Sequence, residues 1–251
     1  TYTSNNELSS TVTVTSARIL LVSDDDAEYN AGHGTSVTEF ENVLGSRGFS
    51  YVTWSEDLEG NPSLDTLSHF PLVIWTTGDF YGVAVDSTDA ITLKQYLDQG
   101  GSILLEGEDI GYDHRSDSFM VNVAHATYGV DNTGAPGLTV TDTTHPVTKG
   151  LPSSFLWSTD PPYDDGVIPI SGGHEVVKYT GTTWSAVVVY GSGGSGSVIY
   201  MAFPLYCLGV SERDTFTVNS VKWLLRKSWT FMVYLDADNN LEWAGIDDLN
   251  E

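Results

Sequence analysis

Cysteine is almost absent: Cys207 is the single one in 251 residues, so no internal disulfide can form and bridges say nothing about the redox compartment. Basic side chains are also scarce. Lys and Arg together number 10 against 34 Asp and Glu, and the formal charge of -24 repels nucleic acid and anionic membrane surfaces wherever salt does not screen it. Nucleic acid is therefore not an expected partner. No apolar run reaches the roughly 18 residues of a membrane span, so none is expected. The start Thr1-Tyr2-Thr3-Ser4-Asn5-Asn6 is neither a signal peptide nor an initiator methionine, and reads as a chain cut from a longer precursor. His33, His69, His114, His125, His145 and His174 form no His-x-His or His-x-x-x-His pair, which removes the usual spacing signal for a histidine metal site.

What is present suits a folded protein: 40% hydrophobic and 12% aromatic residues, with 25 Gly and 9 Pro. The acid excess fits a high-salt habitat, a calcium-rich exterior or plain solubility alike. Scarce Lys with abundant Thr, Ser, Gly and Tyr resembles the surfaces of secreted bacterial or archaeal proteins, and implies a secreted or cell-surface location.

Along the chain, residues 1–17 read as a linker or peripheral strand, with Thr11–Thr15 alternating at strand period. Arg18–Val22 is a near-continuous apolar run, as expected of a central parallel strand covered on both faces. It ends in Asp24-Asp25-Asp26. An irregular loop over Glu28–Gly34 precedes Val37, Phe40, Val43 and Leu44 at helical spacing, closed by Gly45 and Gly48. Phe49–Trp54 is a second strand, Leu64–Phe70 a short helix or turn, and Leu72–Asp79 a third strand ending in a polar turn. Ala90, Leu93, Tyr96 and Leu97 mark a helix stopped by Gly100-Gly101, and Ser102–Leu105 is a fourth strand. This alternation predicts right-handed crossovers and a parallel sheet. Phe119–Tyr128 reads as a further helix and Leu138–Gly173 as Pro- and Asp-rich loops. Strands are expected again at Glu175–Tyr179, Ser185–Tyr190 and Ser197–Ala202, with Gly191–Gly196 as a turn, and Val210–Arg226 as a closing helix.

The runs Val73–Asp79, Gly100–Asp113 and His145–Leu151, set on these elements, resemble the class I glutamine amidotransferase-like superfamily, and more closely the domains of that kind attached to secreted peptidases. The resemblance covers about Arg18–Lys227 and implies an α/β three-layer sandwich with a mostly parallel, flavodoxin-like central sheet. By this resemblance residues 18–227 are expected to form that domain. Residues 228–251 resemble the opening of clostripain-like cysteine peptidases through Trp229–Glu242, a truncated start whose family catalytic His and Cys lie further downstream. Trp229–Leu235 is expected to join the α/β domain as an extra strand. Asp236, Asp238, Asn240 and Glu242 alternate like a calcium loop but lack Gly at the sixth place and Glu at the twelfth, so an EF-hand is not expected.

Active amidotransferases carry a Cys at the strand-to-helix elbow and a His and a Glu after a late strand. The resemblance places the elbow at Leu105-Glu106-Gly107-Glu108, Phe203 where the His would stand and Leu205 where the Glu would stand. All three groups are missing, and Cys207 lies in an apolar setting suited to a buried, inert thiol. The leading expectation is a non-catalytic accessory domain whose partner is the rest of its own polypeptide, a peptidase. The alternative is a hydrolase using Glu106 or Glu108 as base, with His114 or a bound metal. Asp24, Asp25, Asp79, Glu106, Glu108 and Asp109 should converge on one edge of the sheet, with His114 close by, and packed carboxylates must protonate, be solvated or pair with a cation. Asp24, Asp25 and Glu108 are the candidate ligands for Ca²⁺ or Mg²⁺, and no other cofactor is expected. Carbohydrate binding through Trp54, Tyr81, Trp157, Tyr163 and Trp184 is a third option.

Overall fold

The computed structural model describes residues 17–24, 35–80, 82–83, 85–192, 195–226, 231–235 and 241–245. Expectations that fall on residues 1–16, Asp25, Asp26, Glu28–Gly34 and Tyr81 lie outside the described residues, as do Asp236, Asp238 and Asn240.

Strand β1 (Ile19–Ser23) lies between β2 (Tyr51–Ser55) and β3 (Leu72–Gly78), parallel to both, and β4 (Ser102–Gly107) continues the parallel set. Every residue of β3 and β4 is buried, which explains the apolar runs Leu72–Trp75 and Ile103–Leu105 within them. Alternate side chains point to opposite faces. Ile19, Leu21, Leu72, Ile74 and Leu104 meet helix α1 (Ser36–Ser46) on one side, while Leu20, Val22, Val73, Trp75, Ile103 and Leu105 form the core on the other. Two short helices, α2 (Glu56–Glu59) and α3 (Leu64–Ser68), connect β2 to β3. Helix α4 (Ser87–Asp98), capped by Asp86 accepting from the amides of Thr88 and Asp89, connects β3 to β4. The three-layer α/β architecture is the expected one.

Beyond β4 the chain departs from simple alternation. Helix α5 (Ile110–Asp113) has four residues, and Met120–Ala124 makes a single π-helical turn ending at His125, whose φ is 51°. The helix expected over Phe119–Tyr128 is therefore only that turn. Phe119, Met120, Val123 and Ala124 do bury at helical spacing, but Ala126–Asp131 is strand β5. Leu138–Gly173, read as loops, holds β6 (Gly137–Val140), β7 (Ser154–Leu156) and β8 (Asp165–Pro169), each too short to reveal a period. Strands β9 (His174–Tyr179), β10 (Ser185–Ser192) and β11 (Ser195–Met201) follow, the last two extending into the Gly191–Gly196 segment expected as a turn. Helix α6 (Val210–Arg226) closes the α1 face as anticipated.

Strand order is β2-β1-β3-β4-β11-β10-β9-β6-β7, with β8 pairing both β10 and β5. β11 runs parallel to β4, and the pairs beyond it are antiparallel. Phe231–Leu235 is a strand, β12, but it pairs with β13 (Leu241–Gly245) in a separate two-stranded sheet, not with the central one. An antiparallel neighbour next in sequence closes a shorter loop than any strand of the main sheet. No helix among the described residues is long and apolar enough to cross a membrane.

Candidate functional site

Glu106, the second-last residue of β4, is fully buried at the carboxyl end of the sheet. Its Oε1 accepts from Ser36 Oγ of α1 at 2.7 Å and from the Leu205 amide, and its Oε2 accepts from Thr76 Oγ1 of β3. The side chain ties α1, β3 and the segment after β11 together. At Gly107 (φ 150°) a Cβ would lie 1.9 Å from Thr77 Oγ1, so the ends of β3 and β4 approach this closely only through glycine.

The sharp turn itself comes later than the sequence placed it. Asp109, at φ 61° and ψ -9°, is the left-handed residue that leads into α5, three positions beyond Glu106. A non-glycine side chain there costs on the order of 1 kcal/mol of backbone strain. By backbone geometry the elbow residue is Asp109, and Glu106 is part of the strand beneath it.

The expected carboxylates fall into two groups. Around the elbow, Glu108 Oε2 accepts from the Tyr163 amide at 3.1 Å and Asp79 Oδ2 from the Tyr206 hydroxyl at 3.1 Å, while Glu108 Oε1 and Asp79 Oδ1 are buried without a hydrogen-bond partner. Burial, then repulsion from Asp109, Asp79 and Asp165, pushes the Glu108 carboxyl up to about 9. Burial and the charges of Asp131 and Asp113 raise Asp109 to about 7. Asp165, at the start of β8, is raised to about 8 by burial and by Asp109 and Asp131, against the opposing amides of Tyr112 and Gly111. Asp131 and Asp165 were not anticipated, since their approach depends on pairing between two strands read as a helix and a loop.

Asp24 belongs to the second group. Its Oδ2 accepts from Trp75 Nε1 at 2.9 Å and from the Val85 amide at 3.2 Å, and it clusters with Glu56 and Asp89 rather than with Glu108. The structure thus does not bring two of the expected metal ligands, Asp24 and Glu108, into one group, and Asp25 lies outside the described residues. Asp89, nearly inaccessible at the first turn of α4, accepts from Asn61 Nδ2 on both carboxylate oxygens at 2.9 Å. Burial leads the rise of Asp24 to about 6, Glu56 to about 10 and Asp89 to about 7.

His114 is buried with both ring nitrogens engaged, Nδ1 with Asp117 Oδ2 at 2.7 Å and Nε2 with the Val85 carbonyl at 2.8 Å. It lines a separate concavity of about 610 Å³ beside α4, with Val83, Val85, Ile91 and Phe119. Both imidazole nitrogens are taken up by Asp117 and Val85, and a Glu108 carboxyl that stays protonated at neutral pH is an acid rather than a base. Cys207 is inaccessible, and burial followed by the neighbouring Glu108 drives its thiol pKa well above the ordinary value. Phe203 packs edge-on to Trp157 with ring centres 5.2 Å apart, and Leu205 is fully buried. Of the aromatic residues considered for carbohydrate, Trp54, Trp157 and Trp184 pack against the cores and Tyr163 is exposed.

No family model matches the chain, and no curated protein does. Solved structures do. A ThuA-like protein from Bacteroides uniformis aligns with a TM-score of 0.53 at 15% identity, over 88% of this chain and 96% of that one. A glutamine amidotransferase from Methylobacillus flagellatus aligns at 0.56 and 7% identity, over 83% and 96%. The β-galactosidase of Bacillus circulans sp. alkalophilus aligns at 0.58 and 11% identity, over 83% of this chain but 31% of its own. The chain has the fold of a class I glutamine amidotransferase-like domain.

Proposed function

We propose that the chain is a non-catalytic amidotransferase-like domain, an interaction or spacer module of a larger secreted or cell-surface protein, with a clostripain-like peptidase as the rest of its polypeptide. The observation that carries this is the fate of the three catalytic positions: the elbow turns at Asp109, a carboxylate and not a thiol, above a Glu106 bonded into the strand, and Phe203 and Leu205 are buried in the packing. Acyl transfer needs a nucleophile within hydrogen-bond reach of a base, and Cys207 has no histidine beside it among the described residues. The peptidase link rests on the resemblance over Trp229–Glu242. A match filling 31% of a β-galactosidase chain supports the idea that this fold serves inside longer polypeptides.

Steady-state assays of the whole chain with glutamine, peptide and ester substrates are expected to show no turnover above background. Turnover abolished by Glu108→Gln, with the fold intact by circular dichroism, would establish the carboxylate hydrolase instead.

A further inference from the structure

Asp131, the last residue of β5, and Asp165, the first of β8, face each other as direct cross-strand partners, an arrangement that like charges ordinarily destabilise. Asp109, from the elbow, completes the group: each of the three places a carboxylate oxygen within 4.8 Å of the others. Asp165 is fully buried, and its Oδ2 is held by the amides of Gly111 at 2.7 Å and Tyr112 at 3.1 Å, which fix the carboxylate against α5. Its Oδ1 has no partner, nor has Asp131 Oδ1, nor Oε1 of the adjoining, buried Glu108. Among the described residues no Lys or Arg forms an ion pair with any of these groups. A Cβ on Gly111 would come within 2.8 Å of Asp165 Oδ2, so the close backbone approach that orients the carboxylate needs glycine there.

We propose that Asp109, Asp131 and Asp165 bind one Ca²⁺ at the carboxyl end of the sheet. Donors that are all carboxylate oxygen select a hard cation. The three oxygens lie within 4.8 Å of one another, close enough to share the coordination shell of one calcium, which bonds oxygen at 2.3–2.6 Å. Magnesium demands a near-ideal octahedron and gives up its water reluctantly, so carboxylates set on three separate elements suit calcium better. The ion also gives the buried Asp165 oxygen its missing partner and removes the repulsion between β5 and β8.

The test is calorimetric titration of the full chain with CaCl₂ after chelator treatment, with thermal unfolding followed in parallel. Saturable binding is expected, with magnesium markedly weaker. Asp131→Asn and Asp165→Asn should each weaken calcium by roughly tenfold or more and reduce the calcium-dependent rise in Tm. Asp89→Asn, in the other carboxylate group, should leave the affinity unchanged. Asp131 is only half-buried, so its variant decides the matter even if Asp165→Asn does not fold. No saturable heat up to about 5 mM calcium, unchanged affinity in Asp131→Asn, or loss of binding in Asp89→Asn alone would each overturn the proposal.

Discussion

Replacing Glu106 with alanine is expected to lower the unfolding free energy by about 3–5 kcal/mol, the cost of a buried polar hub removed while its partners stay buried. Ser36 Oγ, Thr76 Oγ1 and the Leu205 amide all lose their acceptor at once, in a region with no solvent access. In a domain of this size that corresponds to a fall in Tm of roughly 6–20 °C, read by calorimetry or circular dichroism. Glu106→Gln should cost less, since its carbonyl still accepts from Ser36 and Leu205 and its amide turns to the Thr76 hydroxyl, which then accepts. Equal losses in the two variants would mean that charge, not the hydrogen-bonded hub, holds the elbow.

Stability should also fall as pH rises. Asp24, Glu56 and Asp89 have folded pKa values of about 6, 10 and 7, above their ordinary values of 3.8, 4.5 and 3.8. Between those limits the native state holds protons that the unfolded chain releases, so the slope of stability with pH is negative. Stability is greatest below pH 4 as far as these groups are concerned, and is lost progressively as pH passes 6 and 7 toward 10. Asp24 and Glu56 are only partly buried, and with allowance for solvent screening the loss from pH 5 to pH 8 is about 2–4 kcal/mol, or roughly 4–16 °C in Tm. Glu56→Gln should flatten that decline, because it removes the proton that Glu56 keeps in the native state and the unfolded chain releases over this range. Urea unfolding at the two pH values, in the presence of chelator, measures it. A midpoint that rises with pH would show that the carboxylates are ionised and paired in the native state.

The parallel half of the fold was legible because burial on both faces writes it plainly: Ile19–Val22, Leu72–Trp75 and Ser102–Leu105 are continuous apolar runs, and the helices between them keep their spacing. The same reading carried Asp79, Glu108 and Asp109 to the carboxyl edge. The antiparallel half was hidden. Strands such as Ser154–Leu156 span too few residues for alternation to show, and the turn at Met120–Ala124 imitates a helix before β5 begins. Asp131 and Asp165 were missed for this reason, since a site built by pairing across 34 positions has no local spacing to betray it. The elbow, read at Leu105–Glu108, turns one residue later, at Asp109, because a lone left-handed Asp is a weak signal beside Gly107. Glu56 and Asp89 were missed because they join Asp24 only where α2 and α4 begin.

The most direct measurement is the intact mass of the native chain after incubation with an electrophilic glutamine analogue, which traps any nucleophile poised for amide transfer. An unmodified mass is the expected result, because Cys207 is buried, far from ionisation and without an imidazole partner among the described residues, and Glu106 is bonded into the scaffold. A single stoichiometric adduct, mapped to Cys207 or to an elbow carboxylate and absent from the unfolded chain, would contradict it.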